Sequence, residues 1–194
     1  MSVTAFEDRP ETARGRVLYE MLLAVHASIR RDLARVAQLA AAVIDGLPSD
    51  ELREELEDLR SNSLLWQFQM SCLRYCSFVH MHHDAEDVEF FDELEQTNPT
   101  IGSVVERLRA EHRAVSTYVA AVEAAVRALT GDESHEARRA VADALDVLEQ
   151  HLLAHLDFEE QNVAATARRL RDLPFSSHPP EVADSDLPTE EDQQ

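Results

Sequence analysis

Residues 101–129 of the chain read IGSVVERLRAEHRAVSTYVAAVEAAVRAL. The aliphatic residues of this stretch recur every three or four positions, which is the spacing of one face of an α-helix. Asn98-Pro99 precedes the stretch and Thr130-Gly131 follows it, so both ends carry helix-breaking residues. The stripe consists of Ile101, Val105, Leu108, His112, Val115, Val119, Val122, Val126 and Leu129. We therefore predict a long amphipathic helix with one histidine, His112, on its buried face.

Three further segments show the same helical spacing and are bounded by turn residues. They cover residues 10–44, about 62–96 and 134–173, and a short acidic amphipathic piece, residues 50–60, lies between the first two. The chain of 194 residues has only 4 glycines and 7 prolines, which is too few for an all-β fold with many turns. We therefore predict an all-α protein in which residues 1–173 form an up-down-up-down four-helix bundle.

Residues 174–194 differ from the bundle in composition. They contain four prolines, six acidic residues and no basic residue. Such a segment has too little apolar surface to bury to compensate for the loss of chain entropy on folding. We predict a disordered acidic tail that forms no part of the bundle domain.

The charge of the chain limits its partners. There are 38 acidic and 18 basic residues, and the formal net charge of −20 repels nucleic acids and anionic membranes. No apolar run is long enough to span a membrane, and residues 1–10 do not resemble a signal peptide. Cys72 and Cys76 lie one helical turn apart, which suits reduced core thiols. We expect a cytoplasmic protein, monomeric or weakly homo-oligomeric, that binds neither nucleic acid nor membrane.

Histidines and glutamates interrupt the apolar stripes of the four segments. His26 lies on the stripe of the first segment, as His112 does in the third. The second and fourth segments each carry a His-x-x-x-Glu pair, whose two residues lie on the same side of a helix. The pairs are His82 with Glu86 and His155 with Glu159. Because a buried glutamate is rare unless it is paired or binds a metal, these pairs indicate a site rather than ordinary core packing.

The positions of the histidines along the helices place them at one level. With a rise of about 1.5 Å per residue, His26 lies about 27 Å before the end of the first segment, and His82 lies about 30 Å after the start of the second. His112 is 17 residues before the end of the third segment, and His155 is 21 residues after the start of the fourth. In an antiparallel bundle these distances from the helix ends place the four histidines at a similar height. Histidines scattered through a core are not expected to share one height.

Six donors at one level suit two metal ions, because a single zinc site uses about four ligands at most. Imidazole binds iron, zinc or copper, and carboxylates can bridge two metals inside a helical bundle. Nitrogen donors with shared carboxylates therefore favour a pair of iron ions without a thiolate ligand.

The same residues resemble the hemerythrin-like HHE cation-binding family. The resemblance rests on His26, the run HHDAED at 82–87 with Phe90-Phe91 after it, Glu111-His112, and the run HLDFEE at 155–160, and it spans roughly residues 17–167. It implies a four-helix bundle with a non-haem di-iron centre of two iron ions, oxo- or hydroxo-bridged. Carried over by motif position, the implied iron ligands are His26, His82, Glu86, His112, His155 and Glu159, with the two glutamates as bridges.

The third segment departs from the oxygen-carrying members of that family, which use five histidines. Those proteins have a His-x-x-x-His pair there, whereas here Leu108 and Ser116 stand one turn either side of His112. The four-histidine, two-glutamate set is closer to the di-iron nitrosative-stress repair proteins. His83 with Asp87 also forms a competing pair on a neighbouring stripe. The candidates for a fifth nitrogen are His151, His80 and His83.

The other polar residues near the two pairs have structural interpretations. We expect His80 and His151 to be core or supporting residues rather than ligands. The acid-rich run 84–95, apart from Glu86, is expected to be a solvated helix face.

The sequence leaves two kinds of function open, both with a small diatomic molecule or peroxide as the ligand. A di-iron centre with an open coordination position could react with peroxide, oxygen or nitric oxide, in a catalase- or peroxidase-like way under oxidative or nitrosative stress. The alternative is a non-enzymatic module that binds or senses oxygen, nitric oxide or iron.

Overall fold

A computed structural model gives the fold and describes Phe6 and residues 9–44, 64–129 and 134–171. The predicted acidic piece at 50–60 and the predicted tail at 174–194 lie outside the described residues.

Four long helical stretches make up the described part of the chain. The first is α1, Ala13–Ile44. The second consists of α2, Leu64–Ala85, then a π-helical turn, Glu86–Phe90, and then α3, Phe91–Thr97. After a short 3-10 helix at Pro99–Ile101, the third and fourth stretches are α4, Gly102–Ala128, and α5, His135–Ala167. The described residues contain no strand. The predicted all-α class is confirmed, although α5 ends six residues before the predicted boundary at 173.

Side-chain hydrogen bonds mark the boundaries of the helices. Ser134 caps α5 because its hydroxyl accepts a hydrogen bond from the N–H of Ala137 at 3.2 Å. Asn98, between α3 and the 3-10 helix, accepts from the N–H of Thr100 at 3.2 Å. The amide of Asn98 also donates to the hydroxyl of Thr166 at 3.1 Å, which ties this turn to the end of α5.

The helices form a closed ring in which α1 and α4 each pack against both α2 and α5. The hydroxyl of Thr12, just before α1, bonds the backbone of Leu170 after α5, so these two helices are antiparallel. The side chain of Gln69 near the start of α2 donates to the carbonyl of Val126 near the end of α4. This arrangement is the predicted up-down-up-down bundle. Among the helices described, none combines the length and the apolar character that crossing a membrane requires.

Two apolar clusters fill the bundle, and a polar level separates them. One cluster, with Ile29, Val79 and Val115, includes the buried free thiols of Cys72 and Cys76. The other cluster includes Leu22, Phe90, Leu108 and Val163. In each helical stretch the buried histidines lie between residues of the first cluster and residues of the second. The clusters therefore fix the height at which the polar residues meet.

The start of α1 lies directly against the end of α5 at Gly15. A Cβ atom added at Gly15 would lie 2.6 Å from the carbonyl oxygen of Ala167 and would also overlap the backbone carbonyl of Arg168. Only glycine, which has no side chain, allows the two backbones to lie this close to each other.

We expect Gly15→Ala to lower the free energy of unfolding by about 1–3 kcal/mol, because the backbones must separate to admit the methyl group. The matched control is Gly102→Ala, whose added Cβ would meet only the end of the Glu95 side chain at 3.4 Å. That change should be neutral or stabilise by up to about 1 kcal/mol. Urea denaturation measures both, and equal stabilities would contradict the close contact.

Candidate metal centre

Seven buried side chains from all four helical stretches meet at the level between the apolar clusters. No member exposes more than 9% of its surface, and the two glutamates expose 3% and 0%. The seven are His26 on α1, His82 and His83 on α2, Glu86 at the start of the π-helical turn, His112 on α4, and His155 and Glu159 on α5.

The donor atoms of these residues form overlapping groups. In one group the ring nitrogens of His83, His112 and His155 lie within 4.8 Å of one another. In a second group the donors are His26, His82 and Glu86, within the same distance. A third group joins Glu86 and Glu159 with His112. Three histidines therefore lie on one side of the two glutamates and two on the other.

The glutamate oxygens face both groups of histidines. Oε1 of Glu86 lies 3.3 Å from Nε2 of His82, whereas its Oε2 lies 3.6 Å from Nε2 of His112. Oε2 of Glu159 lies 3.5 Å from Nε2 of His26 and 3.8 Å from Nε2 of His155. Each carboxylate is thus placed where a ligand shared between two metal ions would be.

The helical stretch that contributes three of these residues contains a π-helical turn, which begins at Glu86. The N–H of Phe91 bonds the carbonyl of Glu86, five residues earlier, so the helix widens by one residue directly after the histidines. Glu86 remains inside the bundle, and both Phe90 and Phe91 belong to the apolar cluster that includes Leu22 and Leu108. The sequence predicted a regular helix here, in which His82, His83 and Glu86 already share one face but Phe91 lies roughly opposite His82. The extra residue in the turn brings Phe91 back to the buried side.

The site lacks hydrogen-bond partners where a metal would bind. Both oxygens of each glutamate are buried and unpartnered, and so is Nε2 of His83, His112 and His155. An unsatisfied buried polar group costs about 1–3 kcal/mol, so seven such atoms at one place are unfavourable for the protein alone. Cations between the two groups would satisfy them together. The residues therefore fit a pair of metal ions.

The far side of three imidazole rings is occupied. The Nδ1 atoms of His26, His112 and His155 lie 2.9, 3.1 and 3.1 Å from carboxylate oxygens. Because a carboxylate accepts a hydrogen bond, the proton of each neutral ring resides on Nδ1 and the lone pair on Nε2. This is the tautomer that a metal ligand requires.

Burial sets the protonation of the site. It lowers the pKa of His26 and His82 from 6.5 to about 3, and it lowers the pKa of His83, His112 and His155 as well. Burial also raises the pKa of Glu86, and it raises the pKa of Glu159 from 4.5 to about 8. The imidazoles are therefore neutral at pH 7, whereas the carboxyl of Glu159 favours the protonated form until a cation replaces the proton.

Comparison with known proteins gives the same interpretation as this geometry. Residues 17–167 match the family model of the hemerythrin HHE cation-binding domain. The chain belongs to this family. No curated protein and no solved structure matches the chain significantly. The hemerythrin-like resemblance is confirmed, and together with the histidine and glutamate groups it supports metal binding.

The six ligands expected from the sequence all lie in this hemerythrin-like site, although their binding of a metal stays a prediction. His83 was left open as one of three candidates for a fifth nitrogen, and the structure places it beside His112, with ring centroids 4.1 Å apart. His80 is half-buried and belongs to none of the metal-ligating groups found among the described residues. His151 is exposed and stacks on Tyr118, so the expectation that it belongs to the core was wrong.

The run 84–95, expected to be a solvated helix face apart from Glu86, includes the half-buried Asp87. Asp87 approaches Nδ1 of His112 from the outside of the bundle. Its position next to the His-x-x-x-Glu pair was visible in the sequence, but its partner lies on another helix.

In the metal-free protein we expect stability to peak near pH 6.5. Below pH 6.5 the unfolded chain binds more protons than the folded one, because the buried histidines have lowered pKa values. The free energy of unfolding therefore decreases as the pH is lowered from 6.5. Between pH 4.5 and about 8 the folded chain keeps a proton on Glu159, so that residue's contribution falls as the pH rises. Five histidines outweigh two glutamates below pH 6.5, and above it the glutamates dominate.

Denaturation in the presence of a chelator across this pH range tests the expectation. Glu159→Gln is the control. It should reduce the loss of unfolding free energy above pH 6.5, and it should not change the loss below pH 6.5. Stability that keeps rising to pH 8 would contradict the burial of a protonated glutamate.

Proposed function

We propose that this hemerythrin-like protein holds two iron ions between its four helices and uses one of them to bind and react with a small molecule, peroxide, oxygen or nitric oxide. The observation that supports the proposal most directly is the convergence of unpartnered Nε2 atoms and four unpartnered glutamate oxygens on one buried space. Imidazole and carboxylate donors suit iron, and buried glutamates in helical bundles can bridge two ions.

The donor set divides unequally between the two proposed ions. His83, His112 and His155 would hold one ion, and His26 and His82 the other, with Glu86 and Glu159 shared. The second side has one nitrogen fewer, so at equal coordination number it has one position for an outside ligand. A redox-active iron pair supplies electrons and an open position to such a ligand.

An apolar cavity reaches the side with two histidines. It has a volume of about 100 Å³, and His82 and Glu86 are its polar lining residues. The remaining walls are Leu18, Met21, Leu22, Val25, Ala85 and Phe90. Met21 is 55% exposed, so the cavity begins at the surface. This size and lining suit a small uncharged molecule.

The same cavity favours a second candidate, reversible binding without turnover. Its lining offers no acid or base apart from the two proposed ligands, so nothing else there can donate a proton to a bound molecule. Sustained oxygen release from added peroxide would support the enzyme. A stable adduct with oxygen or nitric oxide, without consumption of peroxide, would support a binding or sensing module.

We expect the purified protein to contain about two irons per chain. His83→Ala should reduce this to about one, because it removes a nitrogen from the group of three. His80→Ala, three residues away on the same helix and outside the cluster, should keep the full content. Elemental analysis after growth with iron measures this, and an unchanged iron content in His83→Ala would exclude His83 as a ligand.

We expect Met21→Trp to slow the binding of nitric oxide to the iron-loaded protein by about tenfold or more, because the larger side chain covers the mouth of the cavity. Met81→Trp is the matched control, since Met81 is 61% exposed on α2 and lies outside the cavity lining. Stopped-flow absorbance gives both rates. Equal rates would show that ligands reach the site by another route.

A further inference from the structure

We propose that Glu160, Glu111 and Asp87 are positioning residues that set the metal affinity and redox balance of the site through three histidines. The inference rests on the proposed iron centre. Each carboxylate contacts the outer nitrogen of one imidazole and forms an ion pair with an arginine. We call each arginine–carboxylate–histidine set a relay.

The first relay joins α1 to α5. Oε1 of Glu160 lies 2.9 Å from Nδ1 of His26, and the same oxygen accepts a hydrogen bond from Arg30 at 2.6 Å. Arg30 also bonds Asp157 at 2.7 Å. His26 is completely buried, whereas Arg30 reaches solvent, so the relay extends from the surface to the centre.

The other two relays have the same order. Oε2 of Glu111 lies 3.1 Å from Nδ1 of His155, and Arg107 donates to Oε1 of Glu111 at 2.7 Å. Arg107 is further fixed by stacking 3.6 Å above the ring of Phe158. The third relay is formed by Arg109, Asp87 and His112. Oδ1 of Asp87 lies 3.1 Å from Nδ1 of His112 and 3.7 Å from Nη1 of Arg109. Here the arginine donates its hydrogen bond to the backbone carbonyl of Asp87 at 2.6 Å rather than to the carboxylate.

The arginines stabilise the ionised form of the carboxylates and help to hold them in position. An adjacent guanidinium favours the ionised carboxylate, and its planar set of donors fixes the direction of the oxygens. An ionised carboxylate on Nδ1–H makes the opposite nitrogen a stronger donor to a metal. The effect is larger for a ferric than for a ferrous ion, because the ferric ion carries more charge. The relays should therefore retain metal and favour the ferric state.

The relays are distributed unevenly. In the part of the chain that the structure describes, no carboxylate lies at Nδ1 of His82 or His83. His112 and His155 belong to the group of three histidines, and His26 belongs to the group of two. Each proposed ion therefore has at least one strengthened donor, and the one nearer the apolar cavity depends on Glu160 alone.

The test replaces each relay carboxylate by its amide, with Glu160→Gln, Glu111→Gln and Asp87→Asn. An amide keeps the shape and can still accept the Nδ1–H bond, but it loses the charge. The chain offers matched controls that remove a carboxylate from the same or an equivalent ion pair without contacting a histidine. Asp157→Asn removes the second partner of Arg30, Asp92→Asn that of Arg109, and Glu123→Gln the partner of Arg127 on α4.

Each relay variant should weaken iron binding by about 10- to 100-fold in chelator competition, while each control changes it by less than about threefold. The ratio of ferric to ferrous protein at a fixed potential should fall by about tenfold in the relay variants, which is a shift of about 59 mV for one electron. Affinity and redox balance that match the controls would overturn the inference and leave the iron centre standing.

A measurement without metal separates this inference from the proposed function. In the metal-free protein, ¹⁵N chemical shifts of the imidazoles should show the proton of His112 and His155 on Nδ1. A proton on Nε2 of these rings would refute the relays even if the protein binds iron. If the wild-type chain takes up no iron, the proposed function fails, and the role of the relays in metal binding fails with it, whatever the tautomers show.

Discussion

The burial of Glu86 and Glu159 side by side is the constraint on which the rest of this bundle depends. Two carboxyl groups with unpartnered oxygens, inside a ring of neutral imidazoles, are unfavourable unless protons or cations neutralise them. The residues around the two glutamates are arranged so that the space between them can accept cations. The imidazoles present lone pairs rather than charges. The arginines Arg30, Arg107 and Arg109 pair with the carboxylates behind the histidines instead of neutralising Glu86 and Glu159 directly.

The bundle holds this unfavourable level in place by packing on both sides of it. The apolar clusters above and below contain most of the fully buried side chains, and the close contact at Gly15 joins the first and last helices near one end. The π-helical turn solves a local problem of direction, because in a regular helix Phe91 would lie roughly opposite His82, and the extra residue in the turn brings Phe91 to the buried side. Stability from ordinary packing thus supports a site that the protein alone would not favour.

Much of this architecture could be predicted from the sequence, since helical periodicity and the rise per residue decide which side chains face inward and at what height. His26, His112 and the two His-x-x-x-Glu pairs follow from that rule. The inclusion of His83 could not be settled, because the rotation of the helix about its axis decides whether one or both of the adjacent histidines face the centre, and tertiary contacts set that rotation. The contacts of Asp87, Glu111 and Glu160 could not be predicted from the sequence, because the histidine that each one contacts lies on another helix. His151 was misplaced because Leu152 and Leu156 occupy the inner face of α5 instead.

Anomalous scattering of iron in crystals of the loaded protein would show most directly whether these residues hold two ions. We expect two anomalous peaks between Glu86 and Glu159, one beside His83, His112 and His155 and the other beside His26 and His82. A single peak, or peaks only on the acidic surface, would contradict the assignment of these seven buried residues to a pair of metal ions.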